Sequence, residues 1–364
     1  MIPSIPSTNK VKPTFSIIKA TVTSIAKVRK NRDIWIAILA ISWFWFIGAS
    51  YLTQIPNFAR ITLNSDPTVV SLLLLLFSIG IGVGSFVCER LSCKQVELGI
   101  APLGLIVLGL FGIDLYAALP VLSAPAAVFD VVTFLSDAVH YRLMFDLLMI
   151  GVGGGLFIVP LYTFIQARAD ENECAQAIAS NNIVNALFMV TSAVFAMLVL
   201  NGLQWKIEQL FLVLAVGNLL VLVLILVSWS ELTVSVLSYV LRRIFNRQSI
   251  NNTEELAALK QDRSAPLIVE VERFDLSTLL VINGLFNRPV YTATWQPETQ
   301  QNRLERYFIN KRQWDGAMQP LSVLVCAKGA ILPESIEHAR WVKCSIKHRK
   351  KSWLRGQIEV NLTI

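Results

Sequence analysis

The chain alternates between long apolar runs and short polar segments over its first 230 residues. A helix needs about 20 mostly apolar residues to cross the hydrocarbon core of a bilayer. Six runs meet that requirement, at positions 34–53, 69–87, 98–119, 143–165, 177–200 and 210–229. The pattern therefore predicts six transmembrane helices, with a longer and more polar loop between the third and the fourth.

Composition separates this membrane part from a different C-terminal part. Apolar residues make up 54% of the chain and charged residues 16%, with a mean hydropathy of +0.56, whereas soluble domains carry about 25% charged residues. The apolar excess ends near residue 230. We expect an all-α polytopic membrane protein with a small α/β cytoplasmic domain. The predicted divisions are a basic arm at 1–32, a six-helix domain at 33–232, an amphipathic or polar linker at 233–263 and a C-terminal domain at 264–364.

Basic residues are distributed unevenly around the six predicted spans. If the N-terminus is cytoplasmic, the segments on that side hold thirteen Lys and Arg, and the opposite loops hold three. Lys and Arg are enriched in cytoplasmic loops, so we expect both termini in the cytoplasm. Basic clusters also bind nucleic acid, but an apolar span follows the basic arm directly. Contact with membrane lipid is therefore favoured, and no nucleic-acid partner is expected.

Small and charged residues form a compact group between the second and third spans. Ser85, Glu89, Arg90 and Lys94 follow an order of small, acidic, arginine and basic residues. This order resembles the signature that major facilitator transporters carry at the same place. The resemblance implies that these residues clamp neighbouring helix ends together in one state of the transport cycle. Ordinary basic charge on a cytoplasmic loop is the alternative.

Longer segments extend the resemblance over about residues 25–230. The stretches "ISWFWFIGASYLTQIPNFAR", "LLLLFSIGIGVGSFVCERLS", "VELGIAPLGLIVLGLFGIDLY" and "NNIVNALFMV" are similar to bacterial lysophospholipid transporter–acyltransferase fusion proteins. They match the C-terminal half of the transporter part. The family implies a major facilitator fold that moves lysophospholipid, notably lysophosphatidylethanolamine, across the bacterial inner membrane for phospholipid metabolism.

The six spans correspond to half of such a transporter. Facilitators bind substrate between two six-helix halves. We therefore expect a second half, supplied by a homodimer partner or by a separate chain. The alternative function is a non-transporting scaffold or remnant of a transporter–acyltransferase fusion.

Polar residues inside spans are functional candidates because they are costly in the bilayer. Asn181 and Asn185 are four positions apart and share one face of the fifth span, and Gln54 follows the first span. We interpret these three as candidates for the wall of a cavity that receives a lipid head group. Interhelical hydrogen bonding is the alternative. Asp114 and Asp146 lie near span ends and are interpreted as residues of the membrane–water interface.

The segment 264–293 has the pattern of a strand, a loop, a helix and a second strand. It resembles the opening of a glycerophospholipid acyltransferase domain, in which a histidine acts as general base and an aspartate orients it. The alignment places Glu272 at the histidine position and Ser277 at the aspartate position. No histidine in the chain is followed five positions later by aspartate. We expect a degenerate acyltransferase-like domain that is not an enzyme, and a membrane-bound acyltransferase is the less favoured alternative.

The five cysteines and three histidines show no metal-ligand spacing. No CxxC pair is present, and Cys88 and Cys93 fall on the predicted cytoplasmic side, where thiols stay reduced. The sequence therefore predicts neither a metal nor a cofactor.

Overall fold

The computed structural model describes a large part of the chain. The described residues are 17–92, 97–119, 128–169, 174–240, 246–251, 258–259, 266–271, 276–286, 290–292, 323–327, 340–350 and 356–363.

Six helices in the described residues are long and apolar enough to cross a membrane, which confirms the six predicted spans. They are α2 (Arg32–Asn57), α3 (Pro67–Ser92), α4 (Ala101–Ala118), α6 (Val139–Arg168), α7 (Cys174–Met197) and α8 (Ile207–Ser228). A short helix, α1 (Ile17–Val28), precedes them, and α5 (Val131–Ser136) lies in the predicted long loop. Several helices extend beyond the predicted runs, since the apolar run marks only the part of a helix that lies in hydrocarbon.

In the bundle, α2 and α6 are the most buried spans, α4 is intermediate, and α3, α7 and α8 lie on the outside. The most apolar window of α2 and that of α6 are each 72% buried, against 61% for α4, 33% for α8 and 28% for α3 and for α7. The most extensive contacts join α3 to α6, α4 to α6, α2 to α7, and α4 to α8. We call the end where α2 begins at Arg32 and α6 ends at Arg168 the arm side. The opposite end, where α2 ends at Asn57 and α6 begins at Val139, is the far side.

Glycines set the close packing of α6 against its neighbours. A Cβ added at Gly84 of α3 would overlap the carbonyl oxygen of Val152, and one at Gly155 of α6 would overlap that of Ile81. On another face, a Cβ at Gly153 would lie 2.6 Å from the backbone nitrogen of Leu108 in α4. Because lipid tails are as apolar as side chains, such close van der Waals packing is a main source of association between spans. The glycine run thus holds α6 between α3 and α4.

The C-terminal part contains a six-stranded sheet in the order β1-β6-β5-β2-β4-β3. The strands are β1 (Asn246–Asn251), β2 (Leu267–Val271), β3 (Val290–Thr292), β4 (Val323–Ala327), β5 (Arg340–Lys350) and β6 (Gly356–Thr363). All strand pairs are parallel except β5 with β6. Apolar side chains of β2, β4 and β5 form one core with the helix α10 (Leu276–Phe286). The predicted strand, helix and strand at 264–293 are confirmed.

A buried helix joins the bundle to the sheet domain. This helix, α9 (Ser230–Val240), contacts the short turn Leu98–Ile100 before α4 and also α10. The Ser238 hydroxyl donates to the carbonyl oxygen of Leu280 at 2.9 Å. The sequence places most of this helix in a linker, and the structure shows that its buried face has partners in both parts of the chain.

Replacing Gly84 with Ala is expected to destabilise the bundle, because the added methyl would meet the Val152 carbonyl. Overpacking of this kind costs about 1–3 kcal/mol. Gly82→Ala on the same helix is the matched control, since nothing lies within 4 Å of its Cβ position. Denaturant unfolding in mild detergent, followed by circular dichroism, compares the two variants. Equal stability would contradict the close packing of α3 on α6.

Candidate functional site

A cluster of polar side chains lies between α2, α6 and α7. The Tyr162 hydroxyl of α6 accepts from the side-chain amides of Asn181 and Asn185, each at 3.4 Å, and from Trp45 Nε1 at 3.3 Å. The Ser42 hydroxyl lies 2.9 Å from Asn185 Oδ1 and completes the group. Residues three or four apart share a helix face, so α2 and α7 each contribute two neighbouring side chains to this group. We call these five residues the polar cluster.

The polar cluster lies inside the bundle rather than at its end. Tyr162 is six residues before the end of α6 and Asn181 is seven residues after the start of α7. At a rise of 1.5 Å per residue, this places the cluster about 10 Å from the arm-side helix ends. Asn181 and Asn185 are buried, whereas Trp45 and Tyr162 are half-buried and lie at the surface of the bundle.

The polar cluster has hydrogen-bonding capacity that the described residues do not use. Asn181 Oδ1 and the hydroxyl of the neighbouring Ser180 are buried without a hydrogen-bond partner among them. The three bonds to Tyr162 are longer than the usual 2.9–3.0 Å for N–H donors. Buried polar groups are nearly always hydrogen-bonded in native proteins, so these groups fit a site that receives a polar ligand. The cluster contains no charged side chain, which suits neutral or zwitterionic groups.

Another buried asparagine has all of its bonds within the bundle. Asn218 of α8 donates to the Leu105 carbonyl of α4 at 2.7 Å and accepts from Trp43 Nε1 at 3.4 Å. It therefore joins three spans. We interpret Asn218 as a packing residue, in contrast to Asn181.

The structure brings together only part of the predicted cavity wall. Asn181 and Asn185 meet at Tyr162, as their shared helix face predicts. Gln54 accepts from Asn57 at 3.2 Å near the far side of α2. It is nine residues from Trp45, a rise of about 13 Å along the helix. Gln54 therefore lies apart from the polar cluster.

The predicted clamp residues lie at the arm-side end of α3. The Ser85 hydroxyl donates to the Ile81 carbonyl of its own helix at 2.8 Å. Glu89 and Arg90 are exposed, and the Arg90 guanidinium lies 4.9 Å from the centre of the Phe86 ring. Lys94 lies outside the described residues, so the clamp remains a prediction.

A buried ion pair joins helix ends on the same arm side. Arg168 at the end of α6 donates to Glu231 at the start of α9 at 2.5 Å. Their side chains are 14% and 4% exposed. Arg168 also lies 5.4 Å from the Phe164 ring, which packs edge-on against Trp229. The pair connects α6 to the helix that leads to the sheet domain. Its partners are 63 positions apart in the chain, so the sequence alone does not reveal it.

The acyltransferase-like positions are only partly described. Glu272 lies outside the described residues. Ser277 lies in α10, and the structure describes its backbone but not its side chain. His140 is in the membrane bundle, buried on the far side, with Nδ1 2.9 Å from the Phe134 carbonyl. Burial raises the pKa of the Cys326 thiol to about 11 and that of Cys344 to about 12. Both thiols are therefore protonated at neutral pH and are poor nucleophiles.

Among the described residues, no group of three or more His, Cys, Asp or Glu is placed to hold a metal ion. No protein-family model, curated protein or solved structure matches the chain. The function is therefore proposed from the geometry together with the sequence resemblance.

Ser42→Ala is expected to couple energetically to Asn185→Ala, since each removes one side of the same interhelical bond. Double-mutant cycles for such bonds in membranes average about 0.6 kcal/mol. Ser50→Ala is the matched control, because the Ser50 hydroxyl is buried on the same helix and donates to the Phe46 carbonyl. Unfolding of the single and double variants in detergent gives the coupling energy. Equal coupling for Ser42 and Ser50 would contradict the geometry of the polar cluster.

Glu231→Gln is expected to lower the free energy of unfolding by about 3 kcal/mol, because it leaves the Arg168 charge buried without its carboxylate. Glu89→Gln is the comparison, since Glu89 is exposed and belongs to the predicted clamp. Chemical unfolding of the full chain measures both. A larger loss for Glu89→Gln would show that the predicted clamp, and not the Arg168–Glu231 pair, holds the arm side together.

Proposed function

We propose that the chain is one six-helix half of a major facilitator transporter that moves lysophospholipid or a similar amphiphile by alternating access. The proposed setting is the bacterial inner membrane, with both termini in the cytoplasm, as the distribution of Lys and Arg favours. The observation that carries the proposal is a difference between the exposed faces of the outer spans.

Two of the outer spans expose small and polar side chains among large apolar ones. On α3, Ser71, Ser78 and Gly82 are exposed beside Leu75 and Ile79, and on α7, Ala175, Ala179, Asn182 and Ala186 are exposed beside Leu187 and Val190. Small residues allow helices to approach closely in a membrane. A polar side chain in mid-span usually faces protein or a water-filled cavity, because exposure to lipid is costly. These faces therefore favour contact with another protein segment.

In mid-span, α4 and α8 expose large aliphatic side chains without the small and polar residues that α3 and α7 expose. The exposed face of α4 includes Leu103, Ile106 and Leu110. That of α8 includes Val216, Leu220, Val223, Leu224 and Val227. Such faces suit lipid. The second and fifth spans thus differ from the third and sixth, as expected if a second half packs along α3 and α7.

The contacts between spans also fit half of a facilitator. The six spans are, in order, α2, α3, α4, α6, α7 and α8. If the first three spans exchange places with the last three, the pair α2–α7 becomes the pair α6–α3, and the pair α4–α8 is unchanged. All three pairs are in extensive contact, whereas the extensive α4–α6 contact has only a small counterpart between α8 and α2. Transporter folds are commonly built from repeats of this inverted kind. The pairing supports a facilitator half over an unrelated six-helix arrangement.

The polar cluster supports an amphiphile as the substrate. It offers neutral hydroxyl and amide groups, including the unused Asn181 Oδ1, at one third of the way through the membrane domain. The hydroxyl and ammonium groups of a zwitterionic head group fit such partners. The cluster offers no basic side chain to the phosphate of that head group, so under this proposal the second half would have to supply it. The resemblance described above favours lysophospholipid within this class.

The first test is assembly in the membrane. Asn182→Leu with Ala186→Leu is expected to abolish association with the second half, because bulky side chains block close approach on α7. Val223→Leu on the aliphatic face of α8 is the control. Subunit counting in native nanodiscs should show a two-half assembly for the parent and the control, formed by two copies or with a separate chain. A stable single copy in the parent, with no second six-helix chain bound to it, would contradict the proposal.

The second test is transport by the intact assembly. Uptake of fluorescent lysophosphatidylethanolamine into proteoliposomes, measured as protection from albumin extraction, should fall at least tenfold in Tyr162→Phe/Asn181→Leu. Asn57→Leu, at an exposed helix end, is the control and should retain uptake. An assembly that forms normally and gives no uptake above empty liposomes would favour the scaffold function instead.

A further inference from the structure

Three charged residues meet on the far side of the bundle, away from the polar cluster. Arg142 of α6 donates through Nε to Asp114 Oδ2 at 3.1 Å and through Nη2 to Asp114 Oδ1 at 2.5 Å. The contact joins α4 to α6 in a two-pronged ion pair. The side chains of Arg142 and Asp114 are 50% and 41% exposed, so this pair is in contact with the surroundings of the bundle.

Asp146 lies one turn beyond Arg142 on α6 and is 0% exposed. Neither of its carboxyl oxygens has a hydrogen-bond partner among the described residues. The sequence suggests an interface position, and the structure instead buries this side chain inside a span. A buried carboxylate without partners is very costly, and the usual solution is to bind a proton. Asp146 lies one helical turn from Arg142, and Arg142 binds Asp114, so the helix spacing brings the two carboxyl groups to the same place.

Within the part of the chain that the structure describes, no second cation acts on Asp146 to balance its charge. Among the described residues, Asp114 and Arg142 are the charged groups that act on it. The guanidinium of Arg142 already donates hydrogen bonds to both carboxylate oxygens of Asp114. On α2, the buried hydroxyl of Tyr51 also lacks a hydrogen-bond partner among the described residues. The far-side half of α3 (67–77) and the short α5 contribute no titratable side chain.

We propose that Asp146 is a proton-binding site, where the neutral acid donates its proton to the carboxylate of Asp114. Arg142 holds Asp114 in the ionised form that accepts this bond. Loss of the proton would leave two carboxylates beside one guanidinium, so the α4–α6 contact would weaken on the far side as the pH rises. The proton-binding site is inferred from the geometry of Asp146, Asp114 and Arg142 alone. Its role in transport rests on the proposed function. There, protonation would favour closure of the far side and couple the transport cycle to a proton.

Infrared spectroscopy of the full chain in nanodiscs tests the site directly. The parent should show the C=O stretching band of a protonated carboxyl group at neutral pH, with a shift in D2O. Asp146→Asn should lose that band, because the amide preserves the shape and removes the acid. Asp66→Asn should retain it: hydrogen bonds from Thr68 and Val69 lower the pKa of the exposed Asp66, which is ionised at neutral pH. Absence of the band in the parent, or its survival in Asp146→Asn, would overturn the proposal.

If a variant does not fold, the infrared band and the thermal stability of the parent, measured over a series of pH values, still test the proposal. The band should disappear, and thermal stability should fall, over the same pH interval. Persistence of the band without a change in stability would overturn the coupling to helix packing. The assay also separates the two proposals. If the band is present and lysophospholipid uptake is absent, the proton site is supported and transport is rejected. If uptake is present and the band is absent, transport is supported and the proton site is rejected.

Discussion

The close contact of the α6 backbone with α3 and α4 is the interaction on which the other features of the bundle depend. Between helices in lipid there is little hydrophobic gain, so association relies on short-range packing and on polar contacts. Glycines at 151, 153 and 155 bring two neighbouring backbones onto α6. This places α6 at the centre of the fold, where its two ends and its middle carry the polar groups considered above.

Three polar side chains lie along α6. Asp146 lies on the far side, Tyr162 lies toward the arm side, and Arg168 ends the helix at its ion pair with Glu231. Each meets a different neighbour: α4, α7 and α9. A rigid α6 would move these contacts together. A transporter that alternates between two states needs such an element, because small changes at one end must repack the other.

Sequence patterns predicted the helices better than the contacts between them. The six apolar runs are long enough that their length alone defines the spans. The spacing of Asn181 and Asn185 placed them on one face, but their partner Tyr162 lies on another span and its sequence context is apolar. Likewise, Arg168 and Glu231 are far apart in the chain, and pairs of this kind require the packing of whole helices. Asp146 was misjudged because nearness to a span end does not reveal which face of the helix is buried.

The central claim is that α3 and α7 face another protein half, whereas α4 and α8 face lipid. Spin labels at Val190 of α7 and Leu220 of α8, compared in native membranes by collision with dissolved oxygen, test it most directly, because oxygen concentrates in lipid. Val190 lies one turn beyond Ala186 on the exposed face of α7, so the label replaces a side chain that is already large. We expect strong relaxation of the label at 220 and weak relaxation of the label at 190. Equally strong relaxation at both positions would mean that lipid surrounds the six helices on every side, and it would contradict the account.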